Sequence, residues 1–90
     1  MMRPMPHIAP ETIASNFAPV LKAMRKAKGL SHQDVADMAK VHRSTISLIE
    51  SGKIMPTLLV CLRIADALDV SLAEMLRQAV VQNKNKQDRG

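Results

Sequence analysis

Apolar residues along this chain recur at intervals of three and four rather than two. Phe17, Val20, Leu21 and Met24 fall at i, i+3, i+4 and i+7, the spacing of one helical face. Asn16 stands just ahead of them as an N-cap, which places Pro19 in the first turn, where a missing N–H costs little. Lys22, Lys26 and Lys28 fall on the water side, and Gly29 is placed to close the helix. A short second helix starts behind Ser31 as its cap, with Asp34 completing an approximate capping box. Val35, Ala36 and Ala39 face inward, and Met38 lies at the margin. After a tight turn at residues 39–41 a third helix begins, with His42 at its N-cap. Ile46 and Ile49 point inward, which leaves Arg43, Ser44, Thr45, Ser47 and Leu48 on the outer face.

Gly52 ends the third helix, and Thr57 caps a fourth. Leu58, Cys61, Leu62, Ala65 and Leu68 make one face of the fourth helix. Leu59, Val60, Ile64 and Ala67 make it apolar almost all round, so it needs cover on more than one side. Ser71 and Glu74 form a capping box for a fifth helix, whose stripe is Leu72, Met75, Leu76, Ala79 and Val80. The pattern predicts an all-α, compact five-helix domain over residues 16–81. Residues 1–15 carry Pro4, Pro6 and Pro10 and read as a flexible arm with at most a turn of helix near 11–14. Residues 82–90 are polar and read as a disordered tail.

At 90 residues the chain holds one domain. A single cysteine, Cys61, excludes an internal disulfide and a multi-cysteine zinc site, and reads as a small core residue. No apolar run approaches the roughly 20 residues of a membrane span, and no signal-peptide pattern opens the chain, so the expected location is the cytoplasm. The net charge is +5, and it is unevenly placed. Residues 17–53 hold seven basic groups (Lys22, Arg25, Lys26, Lys28, Lys40, Arg43, Lys53) against three acidic ones (Asp34, Asp37, Glu50), a local +4. A basic face on a small domain points to a polyanion. His7, His32 and His42 lack metal-ligand spacing, and no phosphate loop or nucleophile set is present. No catalytic residue, metal or cofactor is expected, and an enzyme is disfavoured.

The segments LKAMRKAKGLS (21–31), VADMAKVHRSTISLIESGK (35–53) and P-x-L-x-x-x-L-x-I-A-x-A-L-x-V-S-L-x-E-x-L (56–76) together carry a family likeness. Over about residues 20–76 the chain resembles the lambda-repressor-like, Cro-type helix-turn-helix domain of the Xre family of transcriptional regulators. The resemblance implies a helix-turn-helix motif at 32–51, with the third helix in the DNA major groove. It makes Arg43, Ser44, Thr45 and Ser47 base contacts, since arginine can take guanine O6 and N7 and short hydroxyls can meet base edges or phosphates. It makes His32, Gln33, Lys53 and Thr57 phosphate contacts, the first turn of the second helix offering N–H groups to the backbone. It also pairs Arg25 with Glu50 as a structural ion pair. Three positions depart from the family pattern: Lys40 and Asp69 replace glycines, and His32 replaces a glutamine.

The implied function is a sequence-specific regulator of double-stranded DNA, a repressor that binds a pseudo-palindromic operator as a homodimer. The surplus apolar residues Leu59, Val60, Met75, Ala79 and Val80 are the expected dimer interface. The alternative is an antitoxin of the same fold, whose apolar surface serves a toxin or another protein partner and whose DNA binding is autoregulatory. Restriction-modification controllers and small phage-type repressors are variants of the first role.

Overall fold

The computed structural model describes residues 8–89, with side chains through Val81. They form five helices, α1 (Pro10–Ala27), α2 (His32–Ala39), α3 (Arg43–Glu50), α4 (Leu58–Ala67) and α5 (Leu72–Arg89), and no strand among the described residues. All five contribute to one core: Phe17, Val20 and Leu21; Val35, Ala36 and Ala39; Ile46 and Ile49; Ile64, Ala65 and Leu68; Met75 and Ala79. α1 packs chiefly on α5, and α2 packs on both α3 and α4. The inward positions expected on the first three helices are those found.

α1 begins at Pro10, ahead of the expected cap at Asn16. Pro10 lies in its first turn, where a fixed φ suits the helix and a missing N–H is not needed. The amides of Thr12 and Ile13 close that turn on the Ala9 carbonyl at 3.0 and 3.2 Å. Glu11 adds a favourable charge at the positive end of the helix dipole. Asn16 therefore lies inside the helix, buried, and its side-chain amide donates to the Ala79 carbonyl of α5 at 2.9 Å. Pro19 falls in the helix interior rather than its first turn, a placement that costs roughly 3 kcal/mol. The buried residues around it, Phe17, Val20 and Leu21, anchor the helix against that cost. Residues 1–7 of the expected arm lie outside the described residues.

α2 carries a complete capping box: the Asp34 amide donates to Ser31 Oγ at 3.0 Å and the Ser31 amide to Asp34 Oδ2 at 2.9 Å. Its exit turn is left-handed at Lys40, φ 60°, and Asp69 after α4 does the same at φ 58°. Gly29 and Gly52 take the positive φ that the sequence predicts. α4 is capped by Thr57, whose Oγ1 accepts from the Val60 amide at 3.2 Å. Its buried face is Ile64, Ala65 and Leu68, with Val60, Cys61 and Ala67 packed alongside. Leu58 and Leu62, expected on that face, are 69% and 48% exposed. The physical reason is that a helix apolar all round has no polar side to fix its rotation. Half-burial also pushes the Cys61 thiol up, away from a reactive thiolate.

At the start of α5 the Glu74 amide donates to Ser71 Oγ at 3.1 Å. The reciprocal half of the expected box is replaced: Arg77 and Gln78 donate to the Glu74 carboxylate at 2.6 and 3.0 Å. These bonds, Arg77 first, hold that carboxyl down to about 2. α5 stays helical to Arg89, through the stretch from residue 82 that composition marks as an unstructured tail, and no glycine or proline interrupts residues 72–89.

Candidate nucleic-acid interface

The helix pair α2–α3 is fixed from three sides. Val35, Ala36 and Ala39 bury against α4, and the small alanines let α2 and α3 approach closely. Ile46 and Ile49 seat α3 on the core with at most 2% exposure. The third fixation is polar. Arg25 near the end of α1 donates from Nε to Glu50 Oε2 at 2.7 Å and from Nη2 to Oε1 at 3.0 Å. Its Nη1 donates to the Leu30 carbonyl at 2.8 Å. One guanidinium thus ties α1, the α1–α2 turn and the last residue of α3 together. The resemblance-based pairing of Arg25 with Glu50 is present in the geometry.

Glu50 has a third partner, His32 Nε2, at 3.1 Å from Oε1. Burial raises its carboxyl, but the hydrogen bonds from Arg25 and His32 and their charges outweigh that and hold it below the ordinary carboxylate range. The same bond raises Arg25. Glu50 is therefore an anion consumed by structure.

On the outer side of α3, Arg43, Ser44 and Ser47 are exposed, and Thr45 is half-buried. His42 N-caps the helix through its backbone, with no side-chain cap bond. Arg43 and Ser47 stand one turn apart on one face. Gln33 is exposed, but its Nε2 is engaged with Asp37 Oδ1 at 2.8 Å. Lys53 and Thr57 are exposed on the segment joining α3 to α4, with the Thr57 hydroxyl occupied as a cap.

Beside α3 opens a concave site of about 370 Å³ lined by Lys22, Arg25, Lys26, His32, Ser47, Glu50 and Ser51. It joins the outer face of α3 to the start of α2 and to α1. The sequence counts Lys22 and Lys26 in the basic excess that points to a polyanion but assigns neither to the site. Their i, i+4 spacing, with Arg25 between them, was the signal that they share the face of α1 turned toward this site.

The expected dimer residues divide. Met75 and Ala79 are fully buried within the monomer, so they cannot form an outer face. They belong to the stripe of α5 that packs on the core. Val60 and Val80 are half-buried, and Leu59 is 55% exposed. Five exposed apolar residues, Ile54, Met55, Leu58, Leu59 and Leu62, gather at the start of α4 and the loop before it, while Leu76 and Val81 are exposed on α5, Met38 on α2 and Leu48 on α3. Among the described residues, no helix is long and apolar enough to cross a membrane.

The sequence profile described as helix-turn-helix matches residues 21–75. No curated protein matches the chain. Among solved structures, the restriction-modification controller protein C.AhdI from Aeromonas hydrophila is 32% identical, with a TM-score of 0.66 over 69% of this chain and 94% of that one. The controller C.Esp1396I, solved as a tetramer in complex with its natural 35 base-pair operator, is 29% identical, with a TM-score of 0.69 over 77% of this chain and 95% of that one. The clp gene regulator ClgR from Corynebacterium glutamicum, 20% identical, has a TM-score of 0.80 over 96% of this chain and 86% of that one, a likeness of fold.

Proposed function

Since the chain belongs to the Cro/CI-type helix-turn-helix family of DNA-binding transcription regulators, we propose that it is a sequence-specific repressor of double-stranded DNA acting as a homodimer in the cytoplasm. The observation that carries this reading is the exposed, hydroxyl-rich face of α3, with Arg43 at its N-terminal end, on a helix locked by the Arg25–Glu50 pair. A recognition helix must be held still for its hydrogen-bonding groups to discriminate bases, and both the apolar and the polar fixations of α3 serve that end.

In this reading α3 enters the major groove. Arg43 reads a guanine through O6 and N7, and Ser44, Thr45 and Ser47 meet neighbouring base edges or phosphates. His32 and Gln33 at the start of α2 and Lys53 and Thr57 beyond α3 hold the backbone on either side. Gln33 must exchange its bond to Asp37 for one to phosphate. The dimer forms through Met55, Leu58, Leu59 and Leu62, four of the apolar residues left exposed on the monomer. Two-fold pairing places the recognition helices about 34 Å apart, one DNA turn, on a pseudo-palindromic operator.

Selection of bound sequences from random duplexes at two salt concentrations tests this reading. The expected result is an enriched inverted repeat, with affinity that falls steeply with salt. Recovery of no preferred sequence would defeat it. Capture of a single half-site would retain the DNA reading and remove the dimer.

A further inference from the structure

His32 has one ring nitrogen committed and one uncommitted. Its Nε2 lies 3.1 Å from a Glu50 oxygen that also accepts from Arg25. Glu50 is an anion and can only accept, so Nε2 must carry the hydrogen. Among the described residues no hydrogen bond reaches Nδ1. The ring is 30% exposed and lines the concave site that Lys22, Lys26, Ser47 and Ser51 complete.

A neutral imidazole has a single N–H. With that hydrogen on Nε2, Nδ1 keeps a lone pair, and a phosphate oxygen arriving at Nδ1 meets lone pair against lone pair. Moving the hydrogen to Nδ1 would satisfy the phosphate but set the Nε2 lone pair against Glu50. Only the imidazolium donates to both anions at once. We propose that DNA binding by this protein is coupled to uptake of one proton at His32 of each protomer, so that its affinity for DNA rises as pH falls. The inference rests on the phosphate contact assigned to His32 above.

The charged groups around the ring define the balance. Glu50 from α3 favours the cation, whereas Lys22, Arg25 and Lys26 from α1 and the positive end of α2 oppose it. Asp34 and Asp37, on the same helix as His32, are turned to Ser31 and Gln33. Phosphate adds a second anion that is present only in the complex. Wherever the free imidazole is neutral, the bound state then holds one proton more than the free protein, and the sign of the linkage follows.

The experiment measures binding of the full chain to a pool of random-sequence duplexes by fluorescence anisotropy at fixed ionic strength, from acid to alkaline pH. Wild-type affinity is expected to fall by up to about tenfold per pH unit for each protomer that takes up one proton. Calorimetric titration in two buffers of different ionisation enthalpy should count the same proton. His32→Gln, which retains an amide donor for phosphate, should bind with little pH dependence. His42→Gln and His7→Gln, at the other two imidazoles, should keep the wild-type slope. A flat wild-type profile, or an undiminished slope in His32→Gln, would overturn the proton linkage while leaving DNA recognition in place. Absence of DNA binding at every pH would overturn the functional reading and this inference together.

Discussion

Arg25 and Glu50 meet as a two-pronged ion pair, Nε to Oε2 at 2.7 Å and Nη2 to Oε1 at 3.0 Å, with side chains only 10% and 5% exposed. Removing one partner leaves the other charge buried without compensation. Glu50→Ala should therefore destabilise the fold by about 3–5 kcal/mol in urea denaturation. Arg25→Met combined with Glu50→Leu should cost less than Glu50→Ala alone, because an apolar pair needs no compensation there. Equal losses in the single and double variants would assign the effect to packing.

The same pair sets a pH dependence. The Glu50 carboxyl lies below its ordinary range in the folded chain, so the unfolded chain binds protons more readily. Its contribution is complete above the ordinary carboxylate pKa and is lost as pH falls through the lowered folded value. The midpoint of urea unfolding should drop as the solution is acidified from about pH 6, and the drop should be shallower in Glu50→Gln. An identical acid limb in that variant would place the titration elsewhere.

Arg43 and Lys53 should respond to substitution in different ways. Arg43→Ala should lose about 1–3 kcal/mol of discrimination at one base position. Lys53→Ala should weaken binding to all sequences alike and reduce the salt slope by about 0.9. Uniform weakening by Arg43→Ala would make that residue a phosphate contact.

Leu59 and Met75 separate assembly from folding. Leu59 is 55% exposed and Met75 fully buried. Leu59→Glu should shift the sedimentation of the protein toward monomer with its thermal midpoint little changed. Met75→Ala should cost about 2–5 kcal/mol through a core cavity. A Leu59→Glu protein that sediments like wild type would move the interface away from the start of α4.

Lys40 is a non-glycine residue at φ 60°. A side chain in that conformation costs roughly 1–2 kcal/mol, and glycine returns part of the gain through the entropy of the unfolded chain. Lys40→Gly should stabilise by about 0.5–1 kcal/mol in thermal or urea unfolding. Asp69→Gly should gain less, since aspartate tolerates the left-handed region better than lysine.

Helix count, the inward residues of the first three helices and the left-handed turns at Gly29 and Gly52 were legible because each rests on local chemistry: a 3.6-residue period, a hydroxyl cap, a glycine. What escaped was decided by distant partners. Asn16 has the chemistry of a cap and of a buried amide alike, and only the Ala79 carbonyl on α5 selects the second. The rotation of α4 was hidden for the opposite reason, since Leu58, Leu59, Leu62 and Ile64 look the same to a periodicity argument. Met75 and Ala79 lie on the apolar stripe of α5, and only the packing of α1 against α5 reveals that this stripe is covered within the monomer. The candidate DNA face was visible as a motif, whereas its extension onto Lys22 and Lys26 required the cavity that only tertiary packing creates.

The bond from Asn16 to Ala79 spans 63 residues and joins the first helix to the last. On a ribosome moving at about 5–20 residues per second, α5 is made roughly 3–13 s after Asn16 has been added. From the addition of Glu50 onward the recognition helix exists as sequence, but the scaffold that α1 and α5 complete does not. Synthesis thus imposes a delay between translation of the reading residues and the first moment at which they can act.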